Sequence, residues 1–122
     1  MSHIVRIQTQ VRDPAAIIAA CSRLALSPPE QGEFSLFVGQ VAGLAVRLSG
    51  WKYPLVCRTE SGELAFDNYG GAWGEQRQLD EFLQAYAVEK ARLEVRRSGH
   101  AVTEQRLADG AIKLTVHVGG AA

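Results

Sequence analysis

The sequence has no surplus of charge of either sign: 13 Lys and Arg stand against 13 Asp and Glu, for a formal net charge of zero. A dedicated nucleic-acid binder draws most of its affinity from basic residues laid against phosphates, so this balance argues against that class. Cysteine is scarce. Cys21 and Cys57 are far apart and set among apolar residues, which excludes a disulfide framework and points to reduced, buried thiols in a cytoplasmic protein. No apolar run approaches the roughly 20 residues that a membrane-spanning helix requires. The opening Met1–Gln10 lacks a basic stretch followed by an apolar block, so no secretory signal is expected.

Catalytic signatures are missing as well. No serine sits in a GxSxG elbow, and no Lys, Ser or Thr follows the glycines as a phosphate-binding loop would require. His3, His100 and His117 have no spacing suited to a metal, and neither a CxxC nor an HxxxH pair occurs. No metal and no cofactor is therefore expected. Cys57 lies in the apolar run Leu55-Val56-Cys57, where a cysteine is inert packing. The basic group Lys90, Arg92, Arg96, Arg97 and His100 is interleaved with Glu89 and Glu94. Cations gather at a helix C-terminus for local reasons, so this group does not make a nucleic-acid surface.

What is present is the composition of an ordinary soluble domain, 47% apolar and 21% charged over 122 residues. That length buries one core, not two, so residues 1–122 are read as a single domain. His3–Val11 alternates apolar and polar residues as a half-buried strand does. Asp13 and Pro14 suit the N-cap and first position of a helix running to about Leu24, with Ile17, Ile18, Cys21 and Leu24 inward. Ser27–Gly32 reads as a loop. Phe34–Val38 and Gly43–Leu48 read as a hairpin turning at Gly39-Gln40, with Leu44, Val46 and Leu48 on one face. Leu55–Thr59 and Glu63–Asn68 form a second hairpin around Glu60-Ser61-Gly62.

The longest element is a helix from Glu75 to about Ser98. Leu79, Phe82, Leu83, Tyr86, Lys90 and Leu93 share one face, and Gly99 stands at the C′ position. A third hairpin closes the chain, Ala101–Leu107 with Ala111–Val118 around Asp109-Gly110. The order β-α-β-β-β-β-α-β-β predicts an α+β fold, a largely antiparallel sheet with two helices packed on one face.

The chain is organised around Trp51–Gly74, which holds Trp51, Tyr53, Phe66, Tyr69 and Trp73. Within it, Asp67, Asn68, Tyr69, Gly70, Gly71 and Trp73 are the candidate binding residues. Two rings on a glycine-rich loop before a helix start make a surface for a protein or peptide, because glycines allow close backbone approach. Glu75 at the helix start argues against an anion there. The same residues also read as a sharp strand-to-helix turn in which Tyr69 and Trp73 cover the core. A second functional reading is a small-molecule binder or enzyme with a pocket between sheet and long helix, using Asp67, Asn68 and Tyr69 as polar anchors. The acids Glu63, Asp67, Glu75 and Asp80 fall around this loop, but turns and first helical turns are rich in Asp and Glu in any case.

A series of short motifs runs through the chain: Met1-Ser2-His3, Thr9 with Arg12-Asp13, the segment Asp67–Gly74, Tyr86-Ala87-Val88-Glu89-Lys90, and Asp109-Gly110 before a basic-apolar strand. In order and spacing this series resembles the family of hypothetical chloroplast open reading frame 35 and its bacterial relatives. It departs where plastid members carry paired tryptophans after an aspartate, since this chain has Asn68-Tyr69 and a later Trp73. The resemblance is to a domain of unknown function, so it implies no activity, cofactor or catalytic residue. Bacterial neighbourhood with AAA-type ATPases or ferredoxins implies adaptor duty. The expectation is a non-enzymatic module binding a protein partner, either a second copy of itself or an AAA-type ATPase.

Overall fold

The computed structural model describes residues 3–119, so Met1 and Ser2 of the opening motif lie outside the described residues. The elements are β1 (Val5–Gln8), α1 (Pro14–Arg23), β2 (Glu30–Leu36), β3 (Gly39–Val46), β4 (Leu55–Arg58), β5 (Glu63–Phe66), a single 3-10 turn (Tyr69–Gly71), α2 (Gln76–Arg97), β6 (Ala101–Arg106) and β7 (Ile112–His117). This is an α+β fold with antiparallel pairing throughout. The main sheet has the order β1-β5-β4-β3-β2. The last hairpin, β6-β7, forms a separate two-stranded sheet.

Both helices lie on one face of the main sheet. Ile7, Leu44, Val46, Leu55, Cys57, Leu64 and Phe66 project to that face and meet Ile17 and Cys21 of α1 and Leu79, Phe82 and Tyr86 of α2. α1 buries Ala16, Ile17, Ala20 and Cys21. Ile18 falls off this stripe and is 54% exposed, against expectation. At ten residues the helix offers only a narrow inward strip, which Ala16, Ile17, Ala20 and Cys21 fill.

The helix ends share one motif. Ala25 N–H donates to Ser22 O at 3.1 Å and Leu26 N–H to Cys21 O at 2.9 Å, with Ala25 left-handed at φ 58°. At the end of α2, Gly99 N–H donates to Arg96 O and His100 N–H to Val95 O, both at 3.0 Å, with Gly99 at φ 80°. Both are Schellman closures, and only the second uses the residue free of a Cβ penalty.

The other face of the sheet is also apolar. Leu36, Val41, Val56 and Ala65 are buried there, with Ile4, Phe34 and Tyr53 packed against them. Gly39 lies near Ile4: a Cβ on Gly39 would sit 3.7 Å from Ile4 Cδ1. Gly39 and Ile4 belong to opposite sides of the sheet, with β4 and β5 between. The sheet is therefore curled until its flanks meet, and the second cluster fills the hollow.

The β2-β3 hairpin turns at Phe37-Val38, since Leu36 pairs with Gly39. This corrects the expected turn at Gly39-Gln40, and it carries Glu30–Gly32 out of the supposed loop into β2. β2 is an edge strand with solvent on one side, so Glu30, Gln31, Glu33 and Ser35 are tolerated in it and mask the period.

α2 is covered on two sides. Leu79, Phe82, Leu83, Tyr86 and Leu93 meet the main core. Val88 is only 6% exposed yet belongs to neither apolar cluster of the sheet. It shares the opposite stripe of the helix with Gln84 and Arg92. From that stripe Gln84 Nε2 donates to Gly110 O at 2.9 Å, and Arg92 donates to Glu104 at 3.0 Å. β6-β7 is thus a third layer, laid on the back of the helix.

Candidate functional site

After β5, the chain turns through a loop held almost wholly by its own polar groups. Asp67 and Asn68 are buried, at 1% and 8% exposure. Asp67 Oδ1 accepts from Tyr69 N–H at 3.1 Å, an Asx turn. The Asn68 carbonyl accepts from Gly71 N–H at 3.0 Å and Trp73 N–H at 2.9 Å, while its Nδ2 donates to Gly74 O at 3.1 Å. Tyr69, Gly70 and Gly71 follow one another in the left-handed region, at φ 49°, 62° and 105°. For the two glycines this is free of strain. For Tyr69 it costs on the order of 1 kcal/mol, which the flanking hydrogen bonds offset.

A second segment clasps this loop from outside. Gly74 lies directly on the indole of Trp51, where a Cβ would come within 2.5 Å of Cδ2. Trp51 Nε1 donates to Glu75 O at 3.0 Å, and its ring meets Phe66 at 5.5 Å. Lys52 N–H donates to Trp73 O at 2.8 Å. Through these contacts the turn after Gly50 is fixed beside the loop, and Tyr53 is delivered to Trp73.

The result is a cluster of four rings with Trp73 at its centre. Tyr69 lies 4.7 Å from Trp73 between centroids at 39°, Phe37 5.2 Å away at 63°, and Tyr53 5.6 Å away at 64°. Lys52 Nζ stands 4.5 Å from the Trp73 centroid and 5.6 Å from that of Tyr53. The cluster is at the surface: Phe37 is 57% exposed, Val38 56% and Tyr69 43%. Three loops build it: the β2-β3 tip, the turn after Gly50, and the β5-α2 connection.

Of the residues proposed from sequence, Tyr69 and Trp73 come together on this surface. Gly70 and Gly71 are exposed and supply the backbone reversal. Asp67 and Asn68 are turned inward and hold the loop in shape. Phe37, Val38 and Lys52 are members that the sequence did not single out, and Tyr53 stood in the same stretch but not among the candidate binding residues. For the first two there was a signal: Leu36-Phe37-Val38 is apolar without alternation, which a strand with one wet face does not sustain.

Elsewhere the polar groups serve the scaffold. Tyr86 Oη accepts from the N–H groups of Arg12 and Asp13, each at 3.1 Å, and donates to Gln10 O at 3.3 Å. Asp13, the α1 N-cap, also receives Lys90 and Arg97, each at 3.0 Å. Burial pushes its carboxyl up, but hydrogen bonds from Lys90 and Arg97, the Lys90 charge and the Ala15 N–H outweigh this and hold it down at about 2. Glu63 accepts from Arg6 and Arg58, and Asp80 from Gln76. Burial pushes the Cys57 thiol up to about 12, with Cys21 adding to the rise, so neither sulfur is poised as a nucleophile.

The space between the sheet and α2 is occupied by Ile17, Leu64, Leu79 and Phe82, each no more than 1% exposed. Among the described residues, no group of three or more His, Cys, Asp and Glu side chains is placed to hold a metal ion. Among the same residues, no helix is long and apolar enough to cross a membrane. No protein-family model, curated protein or solved structure matches the chain.

Proposed function

We propose that this chain is a non-enzymatic binding module that docks a protein partner on the ring cluster around Trp73. The observation that supports this most directly is the exposure of large apolar groups in one place. Phe37, Val38 and Tyr69 are among the most exposed large hydrophobic residues, and Phe37 and Tyr69 both touch Trp73. Scattered apolar residues are normal on a surface, but a contiguous aromatic patch is where partners bind. Its support is rigid, since buried Asp67 and Asn68 and the Trp51 clasp fix the loop before any partner arrives. Little ordering entropy then remains to oppose binding.

The motif series resembling the plastid open reading frame family includes this loop at Asp67–Gly74, and that resemblance supports an adaptor role toward an AAA-type ATPase; the other partner in this reading is a second copy of the chain. The test compares full-length protein with Trp73→Ala in pull-downs from native extract, alongside light-scattering mass. A partner, or a dimer, that wild-type protein holds and Trp73→Ala loses by about tenfold or more in affinity is the expected result. Equal recovery by both proteins, or a monomer with no partner at all, overturns the reading.

A further inference from the structure

The polar atoms on the ring cluster are almost all donors. The Trp73 indole N–H and the hydroxyls of Tyr53 and Tyr69 make no hydrogen bond among the described residues, whereas the Trp51 indole is taken by Glu75 O. Lys52 adds an ammonium lying across the rings of Trp73 and Tyr53. An indole N–H and an ammonium can only donate, and a hydroxyl can do so. None of Phe37, Val38, Lys52, Tyr53, Tyr69 and Trp73 carries a carboxylate or amide side chain to accept in return.

The fitting ligand is therefore rich in acceptors, poor in donors and apolar between them. A proline-rich segment in the polyproline II conformation meets all three conditions. Its carbonyls point outward without internal hydrogen bonds, proline has no N–H, and the pyrrolidine rings are apolar. The rings of the cluster pack on Trp73 at centroid distances of 4.7, 5.2 and 5.6 Å and together offer an apolar face on which pyrrolidine rings can lie. A segment already stiff before binding also loses little entropy when it docks. A second copy of this cluster would bring indole and ammonium donors together with only hydroxyl oxygens to accept them, and single-stranded nucleic acid would find one lysine.

We infer that the Trp73 cluster takes a proline-rich polyproline II segment of a partner protein, with the Trp73 indole and the tyrosine hydroxyls donating to its carbonyls. This rests on the binding reading above and names the partner's chemistry. The test is a titration of ¹⁵N-labelled full-length protein with decaproline, and with a glycine-serine peptide of the same length as control. The two indole N–H resonances act as separate reporters, and Trp73→Phe identifies which is which.

The expected result is a saturable shift of the Trp73 indole at up to millimolar decaproline, with the Trp51 indole still. Affinity should fall about tenfold or more in Trp73→Phe, and also fall in Tyr53→Phe and Tyr69→Phe, which keep the rings and remove the hydroxyls. A Trp73 indole that fails to saturate with decaproline, or moves equally with the control peptide, overturns the inference. So does a shift that depends on protein concentration alone, which assigns the patch to a second copy. If decaproline fails while a partner from extract still requires Trp73, this inference falls and the broader reading stands. If no partner requires Trp73, the broader reading falls.

Discussion

Single atoms hold disproportionate shares of this fold. The Tyr86 hydroxyl closes three hydrogen bonds to the β1-α1 connection, from Gln10 through Asp13. Tyr86→Phe keeps the ring in the core and leaves two backbone N–H groups without their acceptor. A loss of about 1–3 kcal/mol is expected in urea unfolding, and a value near zero would show that water takes over the hydroxyl's role. Ala25 offers the opposite case. It sits left-handed at φ 58°, in the place that Gly99 fills in the second helix. Ala25→Gly should raise stability by about 0.5–1 kcal/mol, read as a higher urea midpoint, because the Cβ penalty there exceeds the added chain entropy. An unchanged or lower midpoint would contradict that.

At the scale of elements, the two helices are joined at Asp13, where Lys90 and Arg97 reach across from α2. With its carboxyl held at about 2 against an ordinary 3.8, Asp13 contributes stability that is present above about pH 4. That contribution is lost as pH falls through about 2. Acid unfolding followed by circular dichroism should show Asp13→Asn with less pH dependence than wild type across this window, and parallel curves would remove Asp13 from the account. Most elements were legible in sequence because their caps and periods are local: Asp13-Pro14 opened α1, and Gly99 closed α2. What failed were features that depend on distant chain. Ile18 looked inward until the narrow contact of a ten-residue helix was seen. Phe37 and Val38 were hidden because polar residues on an edge strand erased the alternation that would have marked the tip.

For the whole molecule, the layering sets an order of stability. The centre of the main sheet is buried on both faces, with Leu55, Val56, Cys57, Leu64 and Ala65 at 0% exposure. The β6-β7 sheet has helix on one side only; Val116 in β7 is 45% exposed, and Val118 just beyond it is 81% exposed. Amide hydrogen exchange should accordingly be faster throughout Ala101–His117 than in β4 and β5, by the gap between local and global opening. Equal protection in the two regions would mean that the layers unfold as one. The candidate site was only half legible for the same long-range reason. Tyr69 and Trp73 sit within one short loop, whereas Phe37 and Tyr53 reach them only through the curl of the sheet and the Trp51 clasp.

The roof over the back of the long helix is made from chain that leaves the ribosome after the helix itself. Until it emerges, Gln84 and Arg92 lack their partners at Gly110 and Glu104, although everything needed for the main sheet has already been synthesised. Translation that stalls or stops shortly after Gly99 therefore yields a nearly finished product with the back of its long helix bare, a natural client for chaperones and proteases.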